Sequence, residues 1–158
     1  MPENRTPIII GSDHAAYDLK EKVKSFLIER GIDVEDVGPH SENSVDYPDF
    51  GIKVASMVST SKFERGILLC GTGIGMSMVA NKFPHVRAAL CADLFSAIMS
   101  RRHNNANILV MGGRVIGEAL AIEIVKFWLE TPFDGGRHQV RLEKFDRIDA
   151  MGLSGKTP

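Results

Sequence analysis

The stretch GILLCGTGIGMSM, residues 66–78, decides the fold that the sequence predicts. A run of branched apolar residues ends at Cys70, and glycines follow at every second position with Thr72 between the first two. Such a run, broken by glycine and followed by a helical pattern, is typical of a buried strand, a tight turn and a helix. Glycine permits left-handed backbone angles, and the N-terminus of a helix points free N–H groups at an anion. The pattern therefore sets the thiol of Cys70 beside a candidate ligand-binding turn.

Strand-like and helix-like segments alternate on both sides of this stretch. Besides residues 66–70, strands are predicted at residues 8–10, 34–37, 87–92 and 108–112. Strands separated by helices indicate βαβ units and a parallel sheet covered by helices on both faces. We therefore predict the α/β class, as a three-layer Rossmann-like fold with a five-stranded parallel sheet.

Several helical segments carry expectations of their own. Residues 41–49 are predicted as a loop, with a helix from about residue 50 to 59. The helix at about residues 117–130 is apolar nearly all round, which predicts burial on two sides, by the sheet and by a further contact such as another subunit. Its Trp128 is assigned to the core. After Pro132 a polar helix forms a C-terminal arm.

The composition is that of an ordinary soluble protein. Of 158 residues, 44% are hydrophobic and 25% charged, and the net charge of −1 argues against a nucleic-acid partner. Two cysteines form neither a metal pattern nor a disulfide framework, so a reducing compartment is expected. No apolar stretch is long enough to span a membrane, and the start does not resemble a signal peptide. We expect one cytoplasmic domain over residues 1–158, with a core at about 8–148 and loose tails at both ends.

The carboxyl ends of parallel strands are where ligands bind in open α/β sheets. This rule directs attention to the segments GSDHAA (11–16), CGTGIGM (70–76), SRRHNNAN (100–107) and GGR (112–114). The third precedes the last predicted strand, and the others directly follow a strand. No Walker loop or dinucleotide fingerprint occurs. The glycine loop alone is therefore compatible with two interpretations, a purely structural turn and an anion-binding site.

The thiols and the residues after the first strand allow more than one interpretation. Cys70 is either a small buried apolar residue or a thiolate stabilised by the adjoining helix dipole and loop amides, and the glycine loop favours the thiolate. Cys91 lacks such a loop and is assigned to the core. Asp13 and His14 either orient a polyol through hydrogen bonds or cap the next helix.

The later histidine and arginines are open in the same way. His103 is either a proton-transfer group or a surface histidine at a helix end. Arg114, Arg137 and Arg141 together suit a phosphate, because guanidinium groups bind phosphate bidentately. Taken separately, each is more often a solvated surface charge.

Five motifs in order make a more specific pattern than any of them alone. They are GSDHAA, VDYPDF, CGTGIGMSMVANK, SRRHNNANIL and GGRHQVRLEK. Together they resemble the ribose-5-phosphate isomerase B family, over residues 8 to about 148. That family shares its fold with the isomerases of galactose 6-phosphate and allose 6-phosphate. The resemblance implies interconversion of ribose 5-phosphate and ribulose 5-phosphate without a metal or an organic cofactor.

The resemblance also implies catalytic roles for individual residues. Cys70 matches the catalytic base, Thr72 a hydroxyl that assists proton movement, and His103 the group that opens the furanose ring. One branch of the family has a glutamate base six residues after the cysteine position. Met76 stands there in this chain, which assigns it to the cysteine branch.

Substrate-binding roles are implied as well. Asp13 and His14 match residues that hold the sugar ring, and Asn104 one beside the enediolate. Arg137 and Arg141 match the phosphate clamp, with Arg114 nearby. The amides of the loop that holds Gly71, Gly73 and Gly75 can stabilise the negative oxygen of the intermediate. Pro39 and His40 depart from the threonine expected in their loop.

Two rival functions remain beside the ribose 5-phosphate isomerase. One is an isomerase of a six-carbon sugar phosphate, with the same chemistry in a different pocket. The other is a non-enzymatic module in which the glycine loop and arginines only hold a phosphate ligand, although such a module needs neither Cys70 nor His103. The family resemblance further implies a homodimer with active sites shared between subunits, or a tetramer, and a small sugar phosphate as the partner.

Overall fold

The computed structural model of the chain describes residues 6–152. The strands are β1 (Ile8–Ser12), β2 (Val34–Asp36), β3 (Arg65–Cys70), β4 (Ala88–Leu90) and β5 (Ile108–Gly112). All of them are parallel, and they form one sheet in the order β2-β1-β3-β5-β4. The central strand β3 pairs in register with both neighbours, so that Leu69 lies beside Ser12 and Cys70 beside Gly112.

Helices connect successive strands, and two more follow the last strand. They are α1 (Tyr17–Glu29), α2 (Tyr47–Ser59), α3 (Ile74–Ala80), α4 (Leu94–Arg102), α5 (Glu118–Glu130) and α6 (Arg137–Ala150). A short 3-10 turn, His14–Ala16, precedes α1. Within residues 6–152 no helix combines the length and the apolar character that crossing a membrane requires. The loose C-terminal tail expected at residues 152–158 lies, apart from Gly152, outside the described residues, as do residues 1–5.

Apolar side chains are buried on both faces of the sheet. One face is covered by α1, α4 and α5, with Trp128 and Cys91 fully buried among them. The other face is covered by α2 and α3, and Met76 and Cys70 belong to that layer. Strands buried on both sides read as continuous apolar runs, which is why the sequence identified them. The predicted three-layer α/β fold with a five-stranded parallel sheet is confirmed.

Helix α2 begins earlier than the sequence predicted. Residues 47–49 were expected to be loop, but Tyr47, Pro48 and Asp49 form its first turn. Proline is tolerated there, because the first N–H groups of a helix have no partner within the helix. The end of the expected loop is therefore the start of a helix.

One face of α5 packs against the sheet, through Ala121, Ile124, Val125 and Trp128. The rest of this apolar helix is less covered, and Leu120 is 37% exposed. The second covering surface that the sequence predicted is thus not supplied by the described part of the same chain.

The turn between β3 and α3 depends on Gly73. This residue has a φ of 80° and caps the N-terminus of α3. A Cβ there would lie 2.5 Å from Cδ1 of Leu90 and 3.1 Å from the carbonyl oxygen of Met111. Both the backbone angle and the close approach of β5 therefore require glycine.

The outer edge of β4 is bound by a side chain of the same chain. Nδ2 of Asn81 donates to the carbonyl of Ala88 at 3.0 Å, and the N–H of Ala88 donates to Oδ1 of Asn81 at 2.9 Å. The amide of Asn81 thus takes the place of a neighbouring strand at this residue.

Replacing Gly73 with alanine should destabilise the protein more than replacing Gly31. Both glycines have left-handed φ, at 80° and 73°, so each substitution costs about 1–2 kcal/mol for the backbone. Only Gly73→Ala adds overlap with Leu90 and Met111, because no described atom lies within 4 Å of a Cβ at Gly31. Such overpacking costs about 1–3 kcal/mol more. Urea unfolding of both variants at one protein concentration measures the difference, and equal free energies of unfolding would contradict it.

Candidate active site

Cys70 is the last residue of β3, at the carboxyl edge of the sheet. Its side chain is a free thiol, 5% exposed, and Sγ accepts the N–H of Gly73 at 3.1 Å. In the next turn, Oγ1 of the exposed Thr72 accepts the N–H of Ile74 at 3.2 Å. The glycine loop therefore directs a backbone donor at the sulfur.

The end of β5 packs directly against this loop. A Cβ at Gly112 would lie 2.5–2.9 Å from backbone atoms of Thr72, so the two backbones touch. The N–H of Arg114 donates to the carbonyl of Gly71 at 2.9 Å. The Arg114 side chain lies over Gly71, with Nη1 3.6 Å from where a Cβ would be. Arg114 and Cys70 thus share the carboxyl edge.

The end of β1 brings Asp13 and His14 to the same edge. The carboxylate of Asp13 is buried, and Oδ1 accepts the N–H of Ala16 at 3.0 Å, which is the helix-capping contact. Nδ1 of His14 accepts the N–H of Val45 at 3.1 Å. In its neutral form His14 therefore carries its proton on Nε2, where it can be donated to a ligand.

Tyr47 belongs to this edge, although the sequence analysis gave it no role. Its phenol covers Gly75, and a Cβ on that glycine would lie 2.6–2.8 Å from the ring and its hydroxyl. Tyr47 as a whole is 39% exposed. Because α2 follows a strand, its N-terminus must lie at the carboxyl edge. An aromatic residue at the start of that helix was therefore the sequence signal by which Tyr47 could have been placed at the site.

Residues 100–107 lie at the opposite edge, which corrects the expectation that all four segments meet at the carboxyl ends. Helix α4 runs back along the sheet from the end of β4, and the N–H of Ala106 donates to the carbonyl of Ser100 just before β5 begins. His103 and Asn104 therefore lie at the amino edge. Strand β3 has six residues, so at about 3.3 Å per residue the edges are about 16 Å apart.

Helix α6 starts beside His103. The rings of His103 and His138 are stacked, with centroids 4.3 Å apart and an interplanar angle of 11°. Arg102 pairs with Asp134 at 3.1 Å, which ties the segment before α6 to the end of α4. The exposed Arg137 and Arg141 lie on the same helix as His138. Burial, together with the charges of His103, Arg137 and Arg141, lowers the pKa of His138.

One group of side chains here could supply metal ligands. His103, Asp134 and His138 each offer a ligand atom, and these atoms lie within 4.8 Å of one another. The two rings lie in nearly parallel, stacked planes, and their lone pairs lie in those planes, whereas the lone pairs of metal ligands must converge on one point. Asp134 is also engaged by Arg102. The sequence-based expectation of no metal at this site stays a prediction.

The candidate residues thus form two groups in one chain. The carboxyl-edge group consists of Asp13, His14, Cys70, Gly71, Thr72, Gly73, Gly75 and Arg114. The amino-edge group consists of His103, Asn104, Arg137 and Arg141, with His138 added by the structure. The first group holds a thiol among backbone donors, and the second holds imidazole and guanidinium groups suited to a phosphate.

Comparison with known proteins gives a family for this arrangement. The family model described as Ribose/Galactose Isomerase matches residues 8–145. The chain is 44% identical to ribose-5-phosphate isomerase B of Escherichia coli over 142 residues, which are 90% of this chain and 95% of that protein. It is 46% identical to D-erythrulose-4-phosphate isomerase of Pectobacterium atrosepticum over 139 residues, 87% of this chain and 91% of that protein.

Comparison with solved structures points to the same family. Ribose-5-phosphate isomerase B of Clostridium thermocellum superposes with a TM-score of 0.90 at 51% identity, covering 92% of this chain and 98% of that one. The resemblance stated from the motifs is confirmed. The chain belongs to the ribose/galactose isomerase family, as a sugar-phosphate isomerase of the ribose-5-phosphate isomerase B type.

Proposed function

We propose that the protein interconverts ribose 5-phosphate and ribulose 5-phosphate, with Cys70 as the base. The observation that carries this proposal is the contact between Sγ of Cys70 and the N–H of Gly73 at 3.1 Å. This contact holds the sulfur in a loop whose other amides can receive a developing oxyanion. The similarity to the E. coli enzyme supports ribose 5-phosphate as the substrate.

The chemistry needs one base that reaches two neighbouring carbons. The base removes the proton from C2 of the open-chain aldose, which leaves an enediolate, and returns a proton to C1 to form the ketose. Negative charge gathers on oxygen, and the amides of the Gly71–Gly75 loop offer donors for it. Loss of one such donor costs about 10²- to 10³-fold in rate. Thr72 would assist the proton transfer between the oxygens.

The other cysteine does not suit this role. Cys91 is 1% exposed, and burial raises the pKa of its thiol to about 11. It therefore remains protonated at neutral pH, where a thiol is a poor base.

The sugar must open before the base can act, because the furanose form hides the carbonyl. His103 suits this step as an acid-base group at neutral pH. Asp13 and His14 would hold the ring, since Nε2 of His14 can donate and the second oxygen of Asp13 can accept from a sugar hydroxyl. Asn104 would lie beside the enediolate.

The phosphate would be bound by Arg137 and Arg141. Four residues apart on α6, they lie on one side of the helix. The lowered pKa of His138 keeps that ring neutral between the cationic groups. The clamp binds the phosphate group, which is remote from the reacting carbons C1 and C2. The binding energy of the phosphate can therefore be used to orient the substrate. We propose that no metal or organic cofactor takes part.

A complete site would then need two copies of the chain. Cys70 and Arg137 belong to opposite edges of one sheet, too far apart for a five-carbon substrate to touch both. In a two-fold dimer the carboxyl edge of each subunit can meet the amino edge of its partner, which creates two identical sites. Exposed apolar residues near the carboxyl edge support such a contact between subunits. They are Ile74, Met78, Leu90 and Phe95. We propose this homodimer, or a tetramer built from it, as a cytoplasmic enzyme.

Replacing Cys70 with alanine should abolish isomerisation and leave the fold intact. Alanine fits the small buried position but cannot accept a proton. The matched variant Cys91→Ala should keep its activity. Ketose formation from ribose 5-phosphate is measured for both variants, with circular dichroism as the folding control. A Cys70→Ala rate above a few per cent of wild type would show that another group is the base.

Ribose 5-phosphate should be a better substrate than allose 6-phosphate. The relatives include an isomerase named for a four-carbon sugar phosphate, so the family's chemistry is not confined to one chain length. Side-by-side kcat/KM values for the two sugars decide between the proposal and the six-carbon alternative. A higher value for allose 6-phosphate would favour the alternative, and no turnover of either sugar would favour a binding module.

Mixing two inactive variants should restore activity if the sites are shared. In a heterodimer of Cys70→Ala with Arg137→Ala/Arg141→Ala, one site has both intact halves and the other has neither. Random exchange makes half of the dimers mixed, so activity should approach roughly a quarter of wild type. Demonstrated subunit exchange without any recovery would show that each site is built within a single chain.

A further inference from the structure

A polar cavity opens at the amino edge of the sheet, below β3, β4 and β5. Its volume is about 590 Å³, and its polar lining consists mainly of Arg65, Arg87, Arg101, His85, Asn105 and Asn107. None of the residues assigned to the isomerase site lines it. The isomerase chemistry proposed above therefore makes no use of the three arginines of this cavity.

The guanidinium groups in this cavity are bound by neutral acceptors. Arg65 donates to the carbonyl of Leu129 at 3.0 Å, and Arg87 donates to the carbonyl of Asn105 at 3.0 Å. Arg101 donates to Oδ1 of Asn105, also at 3.0 Å. Among residues 6–152, no carboxylate lies within ion-pair distance of any of these three arginines. Each guanidinium has five N–H donors, so further donors remain.

The three guanidinium groups of the cavity repel one another electrostatically. Arg101 is only 4% exposed. Burial, reinforced by the charges of Arg65 and Arg87, lowers the pKa of Arg101 to about 10. Burial also lowers the pKa of Arg65 and of Arg87. Glu64 is the one carboxylate of the lining, and its charge offsets part of this lowering at Arg65 and Arg101. A bound anion would relieve this repulsion.

The backbone around the cavity is unusual too. In residues 6–152, the non-glycine residues with positive φ are Ser61 at 58°, His85 at 64° and Asn105 at 45°. All three line this cavity. Such angles are costly for residues with a Cβ, and they collect where a structure holds a binding or catalytic geometry.

Trp128 connects the cavity to a measurable signal. The guanidinium carbons of Arg65 and Arg101 lie 5.5 and 5.7 Å from the centroid of its ring. It is the only tryptophan of the chain. An anion that draws on these two arginines will change the electrostatic field at the indole and thereby its fluorescence.

We propose that this cavity is a binding site for a small multivalent oxyanion of the phosphate or pyrophosphate class. Guanidinium groups bind such oxygens bidentately, and several arginines around one concave site match a ligand with more than one negative charge. The free ion and the phosphate group of a metabolite present the same chemistry to the site. The proposal is independent of the isomerase mechanism, because the two sets of arginines do not overlap.

The test uses full-length protein carrying Arg137→Ala/Arg141→Ala, which removes the proposed substrate clamp. Titration with inorganic pyrophosphate, followed by calorimetry and by Trp128 fluorescence, should show one saturable site per chain. Adding Arg87→Gln should weaken the affinity by about tenfold or more, the loss of a charge-assisted contact. Adding Arg147→Gln, which removes the same charge from an exposed part of α6, should leave the affinity unchanged.

Arg65→Gln is the second test variant, in case Arg87→Gln does not fold, and circular dichroism checks both. Equal weakening by Arg147→Gln would reduce the effect to net charge and overturn the site. Saturable binding that either folded cavity variant leaves intact would do the same, as would the absence of pyrophosphate binding in the clamp-free protein.

Discussion

The five strands all point the same way, so each connection must carry the chain back along the sheet before the next strand begins. Strand ends and helix starts therefore gather at one edge, and helix ends and strand starts at the other. This constraint determines which side chains can meet. Cys70 and Asp13 end strands and share an edge, whereas His103 ends a helix and faces away from them. No rotamer change within one chain can bridge that separation.

The same constraint gives the two edges different electrostatic character. Helix C-termini present unpaired carbonyls and a partial negative charge, which favour cations. Arg65 donates to a carbonyl at the end of α5, and Arg101 donates to that of Thr131 just beyond it. The amino edge consequently collects arginines in a chain whose net charge is only −1. At the carboxyl edge, backbone N–H groups such as that of Gly73 provide the positive potential instead.

The sequence predicted the parts of the fold that local chemistry controls. Strands β1, β3 and β5 are buried on both sides, so their apolar runs were unmistakable, and Trp128 and Cys91 lie in the core as expected. The start of α2 was misplaced because the polar residues 41–49 were taken together as a loop, although the last three of them form the first turn of the helix. The location of His103 was wrong because the rule on carboxyl ends was applied to a segment that precedes its strand.

Other features of the candidate site depend on contacts between distant parts of the chain. The stacking of His138 on His103 joins residues 35 positions apart in the sequence. The contact between Tyr47 and Gly75 joins the start of α2 to the segment that follows β3. Neither contact leaves a periodic pattern, so only the packed structure reveals them. The motifs implied roles for individual residues, but they gave no information about which edge of the sheet each residue occupies.

The bond between Asn81 and the outer side of β4 limits how copies of this chain can associate. An open edge strand is a template on which another chain can add its own strand, and repeated addition leads to fibres. At Ala88 both backbone groups that face outward are already taken by the amide of Asn81. A continuous intermolecular sheet cannot grow through that residue. Self-association of the folded protein is thereby steered away from open-ended polymers and toward contacts between helices and loops, which can close on themselves.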